Sequence, residues 1–465
     1  MNAQSASYEE RLGRDPLLPL IFKMALPSVA AQLVNLLYSL VDRMYIGHIP
    51  GIGTDALAGV GVTGSVIILI SAFAQFVGGG GSPLAAMALG HGDRDRAGRI
   101  LGNGFTMLIL FSIFTSGVTA VFMRPVLLLV GASQKTLPYA MDYLSVYLLG
   151  TFFVMVATGL NTFINSQGRP GIAMGSVLIG AVLNIVLDPI LIFGFDFGVR
   201  GAAIATVISQ GCSALWVLRF LTSPAATLRL ELRFMKPHGR TIRNIMALGI
   251  SPFVMSSTES LVGFVLNGTL QTFGDIYVSA LTVMQSAMQV ISVPLSGFTQ
   301  GATPVLSYNY GHGDTARVRT AVKIQAIVMF TCNFVLTVCM MLMPRQVASA
   351  FTSDAALIDV VARLMPIFLA GMTVFGLQRA CQNTFVALGQ AGISLFIALL
   401  RKVILLVPLA LILPHFFGVT GVFLAEAVAD ATAATLCTLL FLWRFPKILA
   451  AVESRTRQES PAETT

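Results

Sequence analysis

Charge is scarce in this chain. Only 11% of its 465 residues are Asp, Glu, Lys or Arg, against about 25% in soluble globular proteins, and that shortage excludes a water-soluble globule. Cysteine is scarce as well. The five (Cys212, Cys332, Cys339, Cys381, Cys437) stand singly, with no CxxC spacing and no histidine nearby in sequence, which argues against a disulfide framework or a zinc site. The five histidines (His48, His91, His238, His312, His415) all fall at predicted joints. No GxSxG, HExxH or kinase-like constellation occurs, so an enzyme has no site to rest on.

Apolar residues are abundant, 55% of the chain with a mean hydropathy of +0.81. About 20 apolar residues cross a bilayer as a helix, and the pattern predicts twelve such helices. They lie near 18–47, 55–89, 96–123, 138–166, 171–195, 199–222, 242–273, 276–309, 316–343, 357–387, 391–413 and 418–443. The fold class is an all-α integral membrane protein. The first sixteen residues mix charges of both signs and lack the apolar core of a cleavable signal, so the first span is expected to serve as the insertion signal. The net charge of +8 is read as the positive-inside bias of loops rather than nucleic-acid binding. Twenty Lys and Arg fall on one set of joints and termini and six on the other, which assigns both termini to the cytoplasm.

The chain repeats itself. Ser82–Asp93 (SPLAAMALGHGD) answers Thr303–Asp314 (TPVLSYNYGHGD) at an offset of 221. Asn161-Thr162-Phe163 answers Asn383-Thr384-Phe385 at 222, Pro189 answers Pro408 at 219, and Phe197-Gly198-Val199 answers Phe417-Gly418-Val419 at 220. Two six-helix halves in tandem share one orientation, because an even helix count returns the chain to its starting side. Such a parallel repeat is typical of transporters with a central cavity. The expected division is a cytoplasmic tail over 1–16, a first lobe over 17–223, a cytoplasmic linker over 224–241, a second lobe over 242–445 and a cytoplasmic tail over 446–465.

Where the repeat diverges, the polar residues are informative. LNIVLDPILIFGF (Leu183–Phe195) carries Asp188 beside Pro189, yet only the proline has a counterpart. Aligned on the prolines, Asp188 falls against Val407 and Asn184 against Val403. Asp188 lies roughly 25 Å along its helix at 1.5 Å per residue. Asp42 falls near the outer end of the first helix, in a stripe with Asn35, Tyr38 and Ser39. Proline at 189 cannot donate to the carbonyl of residue 185, so a kink and a freed oxygen are expected there. Two carboxylates, an amide and a freed carbonyl in low dielectric suit a proton or a hard cation; interfacial pairing of Asp42 with Arg43 and a structural hydrogen-bonding role for Asp188 are the plainer alternatives. The second half carries Glu259, Arg379, Arg401, Lys402, Glu426 and Asp430. Three acids facing three bases read as an ion-pair network that fixes packing, in preference to a second coupling site. Gly78–Gly81 read as a close-packing or hinge segment rather than a phosphate loop, and GHGD as turn and capping chemistry.

The run Asn184–Phe193 followed by Gly198-Val199-Arg200-Gly201-Ala202-Ala203 resembles the multidrug and toxic compound extrusion (MATE) transporters, in particular their MepA-like and DinF-like bacterial branches. Leu26-Pro27, Val41-Asp42, Gln300-Gly301-x-x-Pro304 and Gly311-x-Gly313-Asp314 carry the same resemblance. It implies a V-shaped pair of six-helix lobes in a bacterial inner membrane, exporting drug-like cations or amphipathic compounds in exchange for H+ or Na+. It also implies a coupling site of Tyr38, Asp42, Asn161, Asn184, Asp188 and Thr206, with Asp42 and Asp188 holding Na+ if sodium is the coupling ion. Asn161 and Thr206 enter through the resemblance alone. Some relatives place an acid pair on helices 7 and 10; here those positions hold Glu259 and Arg379. The expected partners are small drug-like cations and membrane lipids, with no nucleic acid; the expected state is a monomer, with no cofactor beyond the coupling ion. Flipping of a lipid-linked precursor, as in other members of that superfamily, is the alternative function.

Overall fold

Residues 11–351 and 354–459 are described by a computed structural model of the chain. Every regular element among them is helical. The spans are α1 (Leu17–Gly47), α2 (Gly53–Gly90), α3 (Arg94–Val121), α4 (Leu137–Leu149 with Thr151–Ser166), α5 (Pro170–Gly194), α6 (Gly198–Thr222), α7 (Gly239–Gln271), α8 (Asp275–His312), α9 (Thr315–Leu342), α10 (Ala355–Ala387), α11 (Ala391–Phe417) and α12 (Val419–Glu459). Eleven are long and apolar enough to cross a membrane individually, and α4, bent by 60°, supplies the twelfth as one broken span.

The repeat is legible in the backbone. Asp93 accepts a hydrogen bond from Arg96 N at 2.8 Å and Asp314 accepts one from Arg317 N at 2.9 Å, so both GHGD turns cap the following helix in the same way. Gly92 and Gly313 supply the positive φ (79° and 84°) that those turns require. Short helices Met123–Leu129 and Pro344–Ser349 follow α3 and α9 at equivalent places. The break in α4 after Leu149 is matched by a 3-10 turn, Ala370–Val374, inside α10. The expected kink at Pro189 takes the form of a π turn, Ile190–Gly194, in which Phe195 N–H donates to Ile190 O. Its partner in α11, Leu400–Leu406, precedes Pro408 instead of following a proline and carries Arg401 and Lys402.

The last helix runs longer than the expected span. The last span was expected to end at 443 and give way to a tail over 446–465, yet α12 continues to Glu459. Lys447 and Arg444 lie over the Trp443 ring at 4.0 and 4.9 Å, Leu449 is fully buried, and Glu453 accepts hydrogen bonds from Thr315 and Arg319 at the start of α9. The bonds of Glu453 hold the extra turns against α9. Residues 1–10 and 460–465 of the two expected tails lie outside the described residues. The linker is clamped to α3: Asn103 Nδ2 donates to Phe234 O and Lys236 O, and Asn103 Oδ1 accepts from His238 N at 2.7 Å.

The two halves touch backbone to backbone at the end nearest the GHGD turns. A methyl group on Gly249 of α7 would stand 1.9 Å from Phe76 O of α2, one on Gly80 2.3 Å from Ile245 O, and one on Gly311 of α8 2.1 Å from Met87 O. Toward the opposite end, Gly61 and Gly64 on α2 and Gly263 and Gly268 on α7 meet nothing within 4 Å. The same helices therefore diverge away from the GHGD turns, giving a V. At the sealed end the lower part of α1 (Leu20, Ile21, Met24, Ala25) packs into a core with α8, α9 and α10, so the first helix ties the halves together there. Two further cores fill the halves, one running from Ile46 to Ile245 and one from Val262 to Ala429.

Candidate functional site

Helical spacing carries the stripe of α1 into a cavity of about 830 Å³ in the first half, where Asn35, Tyr38, Ser39 and Asp42 line one wall. Asn161 of α4 and Thr206 of α6 line the same cavity. Asp188, on α5 immediately before the π turn, is fully buried, and Asn184 one turn earlier is 2% exposed. Asn184 Nδ2 donates to Asp188 Oδ1 at 3.3 Å and to Thr206 Oγ1 at 3.4 Å, while Thr206 Oγ1 donates to Ala202 O at 3.0 Å. The carboxyls of Asp42 and Asp188 face each other within hydrogen-bonding reach. Asp42 makes no ion pair with Arg43 among the described residues, and Asp188 has no base opposite it.

Acceptors outnumber donors. Asp42 Oδ1, Asp188 Oδ2, Asn184 Oδ1 and Asn161 Oδ1 are all buried without a hydrogen-bond partner. Buried polar atoms are usually satisfied; here Asp42 Oδ1 and Asn161 Oδ1 belong to residues of the cavity wall, and Asn184 Oδ1 and Asp188 Oδ2 to the buried pair on α5. Two unit negative charges some 4 Å apart repel by about 4 kcal/mol at an effective dielectric of 20, and a single bound cation or proton would relieve that repulsion. Carboxylate, amide and hydroxyl oxygens are the donor types that suit a hard monovalent ion or a proton. Asn161 is the outlying member. Its Nδ2 is tied to Ala173 O at 3.1 Å, and it shares the cavity wall without bonding to either carboxyl.

Two tyrosines that the sequence reading did not single out complete the cluster. Tyr143 and Tyr147 of α4, buried and stacked at 6.2 Å, line the cavity beside Tyr38, and the Tyr143 hydroxyl is within reach of Thr206. Their four-residue spacing in DYLSVY is the signal that could have found them.

The second half is arranged differently. Arg401 Nε donates to Asp430 Oδ1, Arg401 Nη2 lies 3.6 Å from Glu426 Oε1, and Lys402 Nζ lies 3.5 Å from the same oxygen. The expected network of three acids and three bases is therefore a network of two and two. Glu259 and Arg379 are left out of it. Arg379 Nη2 donates to Ser296 Oγ at 2.6 Å, and Glu259 has no hydrogen bond or ion pair among the described residues. Both line a second cavity of about 410 Å³ between the halves, with Gln32, Gln75 and Gln300 on its other walls.

Comparison with known proteins agrees with this architecture. The family model described as MatE matches residues 27–190 and again 252–412, once per half. The multidrug export protein MepA of Staphylococcus aureus (strain N315) is 25% identical over 430 residues, covering 92% of this chain and 94% of that protein. MepA of Staphylococcus haemolyticus (strain JCSC1435) is 24% identical over 419 residues, 90% of this chain and 91% of its own length. Among solved structures, the outward-facing conformation of a multidrug resistance MATE family transporter of the MOP superfamily superposes with a TM-score of 0.88 at 24% identity, over 95% of this chain and 98% of that one. With the same model recurring in each six-helix half and together spanning well over half of the sequence, this multi-pass membrane protein belongs to the MatE family of transporters.

Proposed function

We propose that the chain is a secondary active exporter of drug-like cations and amphipathic compounds, driven by inward movement of H+ or Na+ through Asp188 and Asp42. The observation that carries this reading is the pair of facing carboxyls, Asp188 buried and Asp42 half-buried, neither of them in an ion pair and each with an orphaned oxygen. Cation binding there neutralises the repulsion between α1 and α5. Release of the cation restores that repulsion and favours a different packing of the two helices, and a ligand can shift a conformational equilibrium only through such a difference in affinity. Because α1 also packs against α8 at the sealed end, a change at Asp42 reaches the seam between the halves. The moving units are the lobes 17–223 and 242–445, joined by 224–241. The positive-inside count supports cytoplasmic termini in a bacterial inner membrane, and MepA's activity as a multidrug export protein supports the substrate class.

The test is dye transport in everted vesicles with the H+ and Na+ gradients collapsed in turn. Export should follow one of the two gradients, and Asp188→Asn should abolish it at unchanged protein level. Wild-type rates in that variant would remove Asp188 from coupling. Flipping of a lipid-linked pyrophosphate is the weaker reading, since it favours an uncompensated basic cavity and here Arg379 shares its pocket with Glu259.

A further inference from the structure

Of the six charged residues singled out in the second half, four cancel. Arg401 and Lys402, carried on the π turn of α11, are matched by Glu426 and Asp430 on α12. The remaining two, Glu259 on α7 and Arg379 on α10, form no ion pair among the described residues, and both face the cavity of about 410 Å³ between the halves. A guanidinium offers five N–H donors in a rigid fork. Among the described residues only one hydrogen bond from Arg379 is made, to Ser296 Oγ, with the Phe375 ring 5.8 Å from its Cζ. The free fork can receive a carboxylate in two parallel bonds. Glu259 offers two acceptor oxygens to an ammonium. The cavity is of drug-ligand size, and its amide walls (Gln32, Gln75, Gln300, Gln382) add neutral donors and acceptors without favouring either sign.

We propose that this pocket recognises molecules carrying both an anionic and a cationic group, with Arg379 holding the anion and Glu259 the ammonium, so that Arg379 sets a preference for zwitterions over simple cations. The inference names the substrate class of the exporter proposed above and rests on that reading. A simple cation placed here satisfies Glu259 and leaves the guanidinium half-used beside a second positive charge. A simple anion does the reverse. A zwitterion satisfies both without moving the unpaired charges into contact.

The test uses the purified full-length chain in detergent and three related probes: ciprofloxacin, which carries a carboxylate and an ammonium, its methyl ester, which keeps only the cation, and its N-acetyl derivative, which keeps only the anion. Wild type should bind the parent at least about tenfold more tightly than either derivative, the scale of discrimination expected when a site built for a polar group meets an analogue lacking it. Arg379→Gln should bring the parent-to-ester ratio close to one, and Arg379→Lys should retain part of it. Equal binding of parent and ester by wild type, which requires no variant to fold, or survival of the ratio in Arg379→Gln, overturns the proposal. Ciprofloxacin efflux from cells expressing wild type separates the two readings. Export of ciprofloxacin with a ratio near one overturns the pocket assignment alone. Failure to export it under either gradient removes the transport reading, while the binding ratio still judges the pocket.

Discussion

Thr206 and Glu426 occupy the same place in the repeat, at the offset of 220 that also relates Gln210 to Asp430. In the first half the acid sits on α5 and its neighbour on α6 is a hydroxyl; in the second half the acids sit on α12 and the bases on α11. The scaffold is shared and the charge is not. One cluster has two carboxyls in no ion pair and several orphaned oxygens, whereas the other pairs each acid with a base and leaves only Asp430 Oδ2 without a partner among its carboxylate oxygens. A buried acid that lacks a fixed partner can be completed by a mobile one, and its occupancy can then vary during a cycle. A buried acid with a fixed partner cannot change state without exposing a charge, which makes it a strut.

The sharpest way to break this contrast is to neutralise one acid in each half. Asp188→Asn should remove cation-driven transport to background while thermal unfolding in detergent stays at or above the wild-type temperature, because an amide replaces an uncompensated charge at equal volume. Asp430→Asn should do the opposite. It leaves Arg401 with only the longer contact to Glu426 and should cost about 3–5 kcal/mol of stability, the usual result of removing one partner from a buried pair. If Asp430→Asn unfolds like wild type and loses transport instead, the second half is a coupling site and the contrast fails.

The contrast also requires the halves to move against each other, and the glycine seam provides the next prediction. Gly249→Ala would place its methyl 1.9 Å from Phe76 O, an overpacking that typically costs about 1–3 kcal/mol. It should hold the sealed end ajar, measured as faster labelling of a single cysteine introduced near the GHGD turns. Gly263→Ala, where nothing lies within 4 Å, should leave labelling unchanged and stabilise α7 by about 0.5–1 kcal/mol through lost chain entropy. Equal labelling in the two variants would mean that the seam is not the gate.

The fold was readable because it rests on signals that survive in one dimension. Spans come from apolar length, and the tandem halves come from GHGD and the matched prolines. The two carboxyls stood out because Asp188 is alone in a greasy helix and Asp42 ends a polar stripe on another. Other features depend on three-dimensional neighbours. Tyr143 and Tyr147 read as ordinary aromatic residues until α4 packs them against Thr206. The reduction of the charged network to four members depends on the π turn in α11, which the sequence does not announce and which aims Arg401 and Lys402 at α12. Continuation of α12 past Trp443 depends on contacts with the start of α9.

The smallest expected effects lie in the tyrosines, where substitution makes one half resemble the other. Across the repeat, Tyr143 corresponds to Leu364 and Tyr147 to Phe368, both buried in the second core. Tyr143→Phe keeps the ring and its packing and removes one hydroxyl within reach of Thr206. A single neutral hydrogen bond contributes about 0.5–1.5 kcal/mol, which bounds what this hydroxyl beside Thr206 supplies, so the coupling-ion concentration for half-maximal transport should rise by at most about tenfold with the maximal rate kept. Tyr147→Phe installs the residue that the second half already uses at Phe368. Its hydroxyl makes no hydrogen bond among the described residues, so the shift should stay under about twofold, within the few tenths of a kcal/mol typical of substitutions that remove no contact. If Tyr147→Phe has the larger effect of the two, the polar centre of the first half lies nearer Tyr38 and Tyr147 than the Asn184–Thr206 pair, and the comparison between the halves has to be redrawn around α1 and α4.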